Sequence, residues 1–372
     1  MNGSRLLRGN SLALGVILVL CALWAGGGLE GDRSAVARAG AGERVEGAGW
    51  SQRAPSAGRP VARDEAGPPD PSPAHGDHGG RAPGGSGTGH VPSDAMLPLK
   101  ATPKDWAPVG DLLGRPGQLT PDGLTYLVAF PRTDLDVRSR GMRLATGTDL
   151  TSFAAFSVYR DHRVMLMGDL VVPEREVTTA VDALQANGLT QTTMHKHLRS
   201  TRPPVWWLHF SGLGSAGTLA KAVRAAVEST GTPREPAPYG PPPAGLDTAA
   251  VDAALRLRGS PVYGSYWVRP PRTDRVVEHG RVVPAGLGAL SEVHIQPVSA
   301  RRAVVNGDIA MTADEIQPVI RALRAARITV VSLHNHSLAE EPRLFFCHYW
   351  TVADPVRTAK ALRKVFDLTK NG

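Results

Sequence analysis

The stretch that decides the fold reads M-G-D-L-V-V-P-E-R-E-V (Met167–Val177), T-M-H-K-H (Thr193–His197) and W-W-L-H-F (Trp206–Phe210). It is written a second time as N-G-D-I-A-M-T-A-D-E-I (Asn306–Ile316), S-L-H-N-H (Ser332–His336) and F-F-C-H-Y (Phe345–Tyr349). The offset is 139 residues throughout, with no gap. His195, His197 and His209 match His334, His336 and His348, and Gly168, Asp169, Glu176 and Pro203 match Gly307, Asp308, Glu315 and Pro342. An internal repeat means one structural unit used twice. Upstream, Y-L-V-A-F-P-R-T-D from Tyr126 echoes Y-W-V-R-P-P-R-T-D from Tyr266, shifted by one residue.

Periodicity within a copy predicts strands over Thr125–Phe130, Phe153–Tyr159 and Arg163–Leu170, and then a helix over Glu174–Asn187 with Val177, Val181 and Leu184 on one face. Strands Leu189–Leu198 and Val205–Ser211 and a helix over Ala216–Val227 complete the unit. In the second copy, Thr312-Ala-Asp-Glu315 reads as a capping box. The expected fold class is α+β. Two homologous domains each have the order β-β-β-α-β-β-α, with an antiparallel or mixed sheet and helices on one face. The two repeats are expected to pack as a pseudo-dimer.

The remaining chain sets the boundaries. Residues 1–28 carry Arg5 and Arg8 ahead of an apolar stretch from Leu12 to Trp24, as a signal peptide or N-terminal membrane anchor does. Cys21 lacks the small residue a lipobox wants before it, because Leu20 stands there. Residues 29–97 are rich in Gly, Pro and Ala and poor in large apolar side chains, so they read as a disordered linker. Repeat A is placed at 98–231, a Pro-rich linker at 232–246 and repeat B at 247–372. The formal net charge is +8; nine Arg and nine acidic residues cancel before residue 98, so the excess lies in the folded part. No basic run with interleaved aromatics and no zinc finger is present, which argues against nucleic acid as a partner. The expected location is exported, whether periplasmic, cell-surface or secreted, with membrane contact only through the N-terminal segment. Cys347 is the one cysteine of the repeats, and its apolar surroundings mark it as an inert core residue.

The histidines carry the chemistry. Residues two apart on a strand share a face, so His334 and His336 project together, as do His195 and His197. A hairpin closed by Ala339–Arg343 would set His334 opposite His348 and His336 opposite Phe346, and in repeat A His195 opposite His209 with Trp207 beside them. The opposite face would then be the core face, carrying Leu333, Phe345, Cys347 and Tyr349 in one copy and Met194, Trp206, Leu208 and Phe210 in the other. Three histidines on neighbouring strands match the ligand arrangement of an open zinc site. The expected cofactor is therefore zinc or another divalent transition metal held by His195, His197, His209, His334, His336 and His348. Asp169, Trp207, Asp308 and Phe346 are candidate ligand-binding residues, and Asp308 and Glu340 are candidate catalytic bases. Asp169 and Asp308 also have a plainer reading, in which they end a strand and place charge at the next helix N-terminus. His75, His78 and His90 read as solvated linker residues.

The run G-D-I-A-M-T-A-D-E-I, S-L-H-N-H, E-P-R-L-F-F-C-H-Y-W resembles the bacterial LppY/LpqO family, a domain of unknown function whose named members are envelope lipoproteins. Repeat A resembles a more divergent copy, with Lys196 for the central Asn and Arg202-Pro203 for Glu-Pro. The resemblance implies an envelope location and supplies no reaction. The leading expectation is an exported protein that binds an envelope ligand, or a metal ion, through duplicated three-His sites. A zinc-type hydrolase is one alternative. Another is a structural pseudo-dimer, which mutual burial of the two His faces would favour.

Overall fold

The structure is a computed structural model that describes residues 94–299 and 301–372; the expected signal segment, most of the linker, His75, His78 and His90 lie outside them. Both repeats fall within one compact unit. We number the strands of the two large sheets in chain order. Repeat A contributes β1 (Gln118–Leu119), β2 (Tyr126–Pro131), β3 (Thr151–Val158), β4 (Val164–Pro173), β5 (Thr190–His195) and β6 (Val205–Gly214). Repeat B contributes β7 (Ser260–Val262), β8 (Ser265–Val268), β9 (Glu292–Ser299), β10 (Arg302–Met311), β11 (Thr329–His334) and β12 (Phe345–Ala353). The sheet orders are β1-β2-β3-β4-β6-β5 and β7-β8-β9-β10-β12-β11, all antiparallel, so the second sheet repeats the first. The fold class is α+β, as the sequence predicts.

The helices are α1 (Pro103–Leu113), α2 (Val177–Ala186) and α3 (Ala216–Glu228) in repeat A, and α4 (Thr248–Leu255), α5 (Ile316–Ala325) and α6 (Pro355–Phe366) in repeat B. Each unit therefore opens with a helix and a short strand that the expected order lacked. The signal for α1 was present: Trp106, Val109 and Leu113 recur at helical spacing, Pro103 starts the helix, and Asp105 accepts a hydrogen bond from the Thr102 backbone N–H at 2.7 Å.

Each sheet has two buried faces. One packs against its own three helices: Phe130, Phe156, Leu166, Leu208 and Phe210 meet α1–α3, and Val305, Ile309, Cys347 and Tyr349 meet α4–α6. The other faces the partner repeat, where Val171, Val205 and Trp207 share a cluster with Val304 and Trp350. The result is a four-layer α-β-β-α stack. Alternate strand residues serve alternate layers, which explains why β4 and β10 are buried almost throughout.

Two residues shared by both copies hold this frame rather than a site. Arg132 and its counterpart Arg272 have fully buried side chains. Arg132 binds Asp134 at 2.8 Å and Glu176 at 3.0 Å, while Arg272 binds Asp274 at 2.7 Å and Glu315 at 2.8 Å. Each also donates to a main-chain carbonyl of the long central strand, Val171 or Ala310. Glu315 additionally accepts from Thr312 N–H at 2.8 Å, the backbone half of the predicted capping box. These ties fasten the start of α2 and α5 to the sheet. Arg272→Ala, leaving the buried Glu315 and the half-buried Asp274 without their cation, is expected to lower stability by about 3–5 kcal/mol, with Arg132→Ala similar. Urea unfolding of the two variants measures both, and a loss under about 1 kcal/mol would reduce the clamps to ordinary surface pairs.

Candidate metal centre

The sheet faces that look at each other carry the histidines. β5 and β11 deliver His195 and His334 from their last positions, and β6 and β12 deliver His209 and His348 from mid-strand. His197 and His336 lie just past the strand ends. The predicted hairpin register is wrong by two residues. His334 stands opposite Phe346 and Ser332 opposite His348; likewise His195 faces Trp207 and Thr193 faces His209. A bulge in each edge strand, between Val330 and Ser332 and between Gln191 and Thr193, accompanies the slip. A slip of two keeps every side chain on its predicted face. The expected core face holds for Leu208, Phe210, Cys347 and Tyr349, but Met194 and Leu333 are each 47 % exposed at the sheet edge. Cys347 is buried and free, with its thiol pushed up to about 12 by burial.

The two trios form one cluster rather than two separate sites. The rings of His195 and His334 stack across the junction at 3.6 Å, His197 lies 3.9 Å from His348, and His209 lies 4.3 Å from His336. Exchanging the repeats exchanges the last two pairs, so the cluster has an approximate two-fold axis through the His195–His334 contact. Trp207 stacks on His197 at 4.6 Å and Phe346 on His336 at 3.4 Å, closing the two ends. The two aromatics are walls of the cluster.

The reading of Asp169 and Asp308 as strand-ending residues is overturned. Both sit mid-strand, on β4 and β10, directly opposite His209 and His348. Their carboxylates approach the other repeat-equivalent ring pair, Asp169 to His197 Nε2 at 3.6 Å and Asp308 to His336 Nε2 at 3.6 Å. The glycines before them are required by packing. A Cβ on Gly168 would lie 2.2 Å from the Phe210 ring, and one on Gly307, whose φ is 143°, would lie 2.0 Å from the Glu292 carbonyl. Glu340 is buried beside the cluster, not in it. It accepts from Leu344 N–H at 3.0 Å, lies 3.5 Å from Arg343, and shares with His336 the lining of a cavity of about 30 Å³. Burial raises its pKa.

Four polar residues of the centre were not predicted. Asp149 pairs with His294 Nδ1 at 2.8 Å, accepts a hydrogen bond from Asn306, and lies 3.7 Å from His197. Glu292 lies 3.3 Å from His294 Nε2 and is held in turn by Arg269 at 3.0 Å. Their repeat counterparts are Gly288, Ala155, Met167 and Phe153, so a comparison of the two copies discards them. The available signal was a lone polar residue inside an apolar strand, as in V-H-I at His294 and V-V-N-G at Asn306.

Ligand-compatible groupings cross the repeats. Mutually close donor atoms come from His195, His334 and His348; from His195, His197 and His209; from His209, His334 and His336; and from Asp149, His197 and His348. Repeat A's own trio is among these and repeat B's own trio is not. The two His faces are mutually buried, as a structural pseudo-dimer requires, yet packing alone leaves nine of the twelve ring nitrogens of the six histidines without a hydrogen bond among the described residues. The exceptions are the His195 Nε2–His348 Nε2 contact at 3.2 Å and the bond of His348 Nδ1 to the Gly307 carbonyl at 3.1 Å. At about 1–3 kcal/mol for each unsatisfied buried group, nine cost on the order of 10 kcal/mol, comparable to the whole stability of a domain. Aromatic stacking, about 0.5–1.5 kcal/mol per pair, does not offset that sum.

Burial also sets the charge state. It holds all six imidazoles below their ordinary range, His209 at about 3 and His348 at about 4, with the neighbouring rings adding to the effect on His195, His197, His334 and His336. Burial and the nearby carboxylates raise Asp169 and Asp308 well above the usual carboxylate range. His294 is the exception: despite burial, Asp149 and Glu292 raise it to about 9. In chelator-treated protein the six depressed imidazoles bind fewer protons folded than unfolded below pH about 6.5, while the two raised carboxylates bind more. Six outweigh two, so stability is expected to fall as pH drops from about 6.5 toward 4. The contribution of His294 has the opposite sign, present below pH about 6.5 and lost as pH rises through 9. Melting temperature against pH measures both limbs, and a flat profile between pH 4 and 6.5 would mean the rings are not buried together.

Comparison with known proteins adds a family and no reaction. No curated protein matches the chain. Among solved structures, a double-ringed trimeric shell protein from the RMM microcompartment is 13 % identical with a TM-score of 0.18, over 55 % of this chain and 81 % of that one. The trimeric bacterial microcompartment shell protein PduB is 13 % identical with a TM-score of 0.18, over 67 % and 89 %. A TM-score of 0.18 does not define a shared fold. The family model described as Domain of Unknown Function (DUF1259) matches twice, over residues 107–229 and 249–368, which together make up more than half of the sequence. The chain therefore belongs to that family and carries its domain in two tandem copies.

Proposed function

We propose that this protein binds a divalent transition metal between its two repeats, through the six-histidine cluster, and that metal binding is its primary biochemical property. The observation that carries this is the set of nine buried imidazole nitrogens with no hydrogen-bond partner, drawn toward one another from both halves of the chain. Neutral imidazole is the donor that zinc, copper, nickel and cobalt share. The depressed basicity of these rings favours the neutral, ligating form near pH 7. Asp169 and Asp308, within 3.6 Å of ring nitrogens, would ionise beside a bound cation and complete or orient the ligand set.

Binding is favoured over hydrolysis because the cavity at His336 is about 30 Å³. That holds one or two waters and is too small to enclose an organic substrate. The N-terminal apolar stretch and the likeness of the S-L-H-N-H run to LppY/LpqO proteins support an envelope setting, where such a centre would sense, store or carry metal. Purified protein is expected to contain at least one zinc-class ion per chain by elemental analysis. His334→Ala/His348→Ala should lose most of it, and chelation should lower the melting temperature of the native chain but not of the variant. A variant that keeps the native metal content would sink the assignment.

A further inference from the structure

The approximate two-fold axis makes a direct comparison between the ends of the cluster possible, and the ends are not alike. Residue by residue, His197, His348 and His195 on one side correspond to His336, His209 and His334 on the other. The fourth position differs. Asp149 occupies it on the first side with φ 60°, and Gly288 occupies it on the second with φ 97°, so the backbone makes the same left-handed turn and only one copy carries a carboxylate. The surroundings have diverged in step. Asp149 is braced by Asn306 and His294, whose counterparts in the other copy are Met167 and Ala155. A Cβ built on Gly288 would lie 2.5 Å from Met167 Cε and 3.8 Å from His336 Nδ1, which places the missing side chain at the position that Asp149 fills beside His197.

We infer that the centre holds two metal ions of different character: a closed one ligated by Asp149, His195, His197 and His348, and an open one ligated by His209, His334 and His336 that takes an exchangeable water or small anion as its fourth ligand. This rests on the metal-binding reading above and deepens it. The groupings Asp149/His197/His348 and His209/His334/His336 share no residue, so both can be filled at once. His195 Nε2 lies 3.2 Å from His348 Nε2, close to the roughly 3.3 Å between donors of a tetrahedral zinc site with bonds of about 2.0–2.1 Å. Four protein ligands make a structural site and three leave a reactive position. The cavity of about 30 Å³ lies on the three-ligand side, lined by Met167, Gly288, His336, Glu340 and Phe346, and it has room for a ligand the size of water. Glu340 Oε2 makes only the 3.5 Å ion pair with Arg343 and accepts no hydrogen bond among the described residues, so it can still accept from a coordinated water.

The test uses cobalt(II) in the full chain, with azide as a small anionic probe read in the visible absorption of the metal. Two cobalt ions per chain are expected, with azide shifting the bands of one. Gly288→Asp/Met167→Asn, which copies the Asp149 side onto the open side, should keep both ions and lose the azide response. Asp149→Gly should keep His197 and His348 and add a second azide-responsive ion. No bound cobalt in the native chain would overturn the metal-binding reading itself. A single ion, or two ions that respond alike to azide, would overturn the asymmetry while leaving metal binding intact. Should the double variant fail to fold, the Asp149→Gly response decides alone: no added azide-sensitive ion overturns the inference.

Discussion

Everything in this molecule depends on six imidazoles being taken out of water between two sheets. Each sheet has one face against its own helices and must cover the other. The second face is apolar at its margins, around Trp207, Val304 and Trp350, and polar at its centre. Neither repeat alone can satisfy that centre: the ring contacts that matter run from His195 to His334, His197 to His348 and His209 to His336. The duplication is thus a condition of the site, because the second copy supplies the opposing wall.

The cost of burial explains the surrounding architecture. Low dielectric and mutual proximity keep the rings neutral, and a neutral ring is both the least expensive form to bury and the form that ligates metal. Rigid elements place them: two long central strands set Asp169 and Asp308 against His209 and His348, and Trp207 and Phe346 fix the outer rings by stacking. The Arg132 and Arg272 clamps act at a distance, holding the first helix turn after each central strand. The helix glutamates shared by both copies, Glu176 and Glu315, therefore serve the frame.

Symmetry and its breakdown divide the labour. The shared residues define two equivalent ends, and the unshared ones, Asp149 with Asn306 and His294 against Gly288 with Met167 and Ala155, make the ends chemically different. At one end stands a charged carboxylate, Asp149, braced by His294 and Asn306. At the other lies a small apolar cavity with a buried carboxylate, Glu340.

The sequence by itself determined the duplication, the α+β class, the strand and helix pattern and the six histidines. Strand parity also determined their common face, because a two-residue period survives the two-residue register slip that the bulges introduce. It did not determine that the two trios merge, that Asp169 and Asp308 sit mid-strand, or that Asp149, Glu292, His294 and Asn306 join them. Those residues face unlike counterparts in the other copy, Gly288, Phe153, Ala155 and Met167, and Asp149 comes from a turn far along the chain from the histidines it meets. Only the tertiary structure decided these points. Packing one sheet face on another brings together side chains that no local period relates, and burial there, rather than residue type, fixes their charge and their hydrogen-bonding needs.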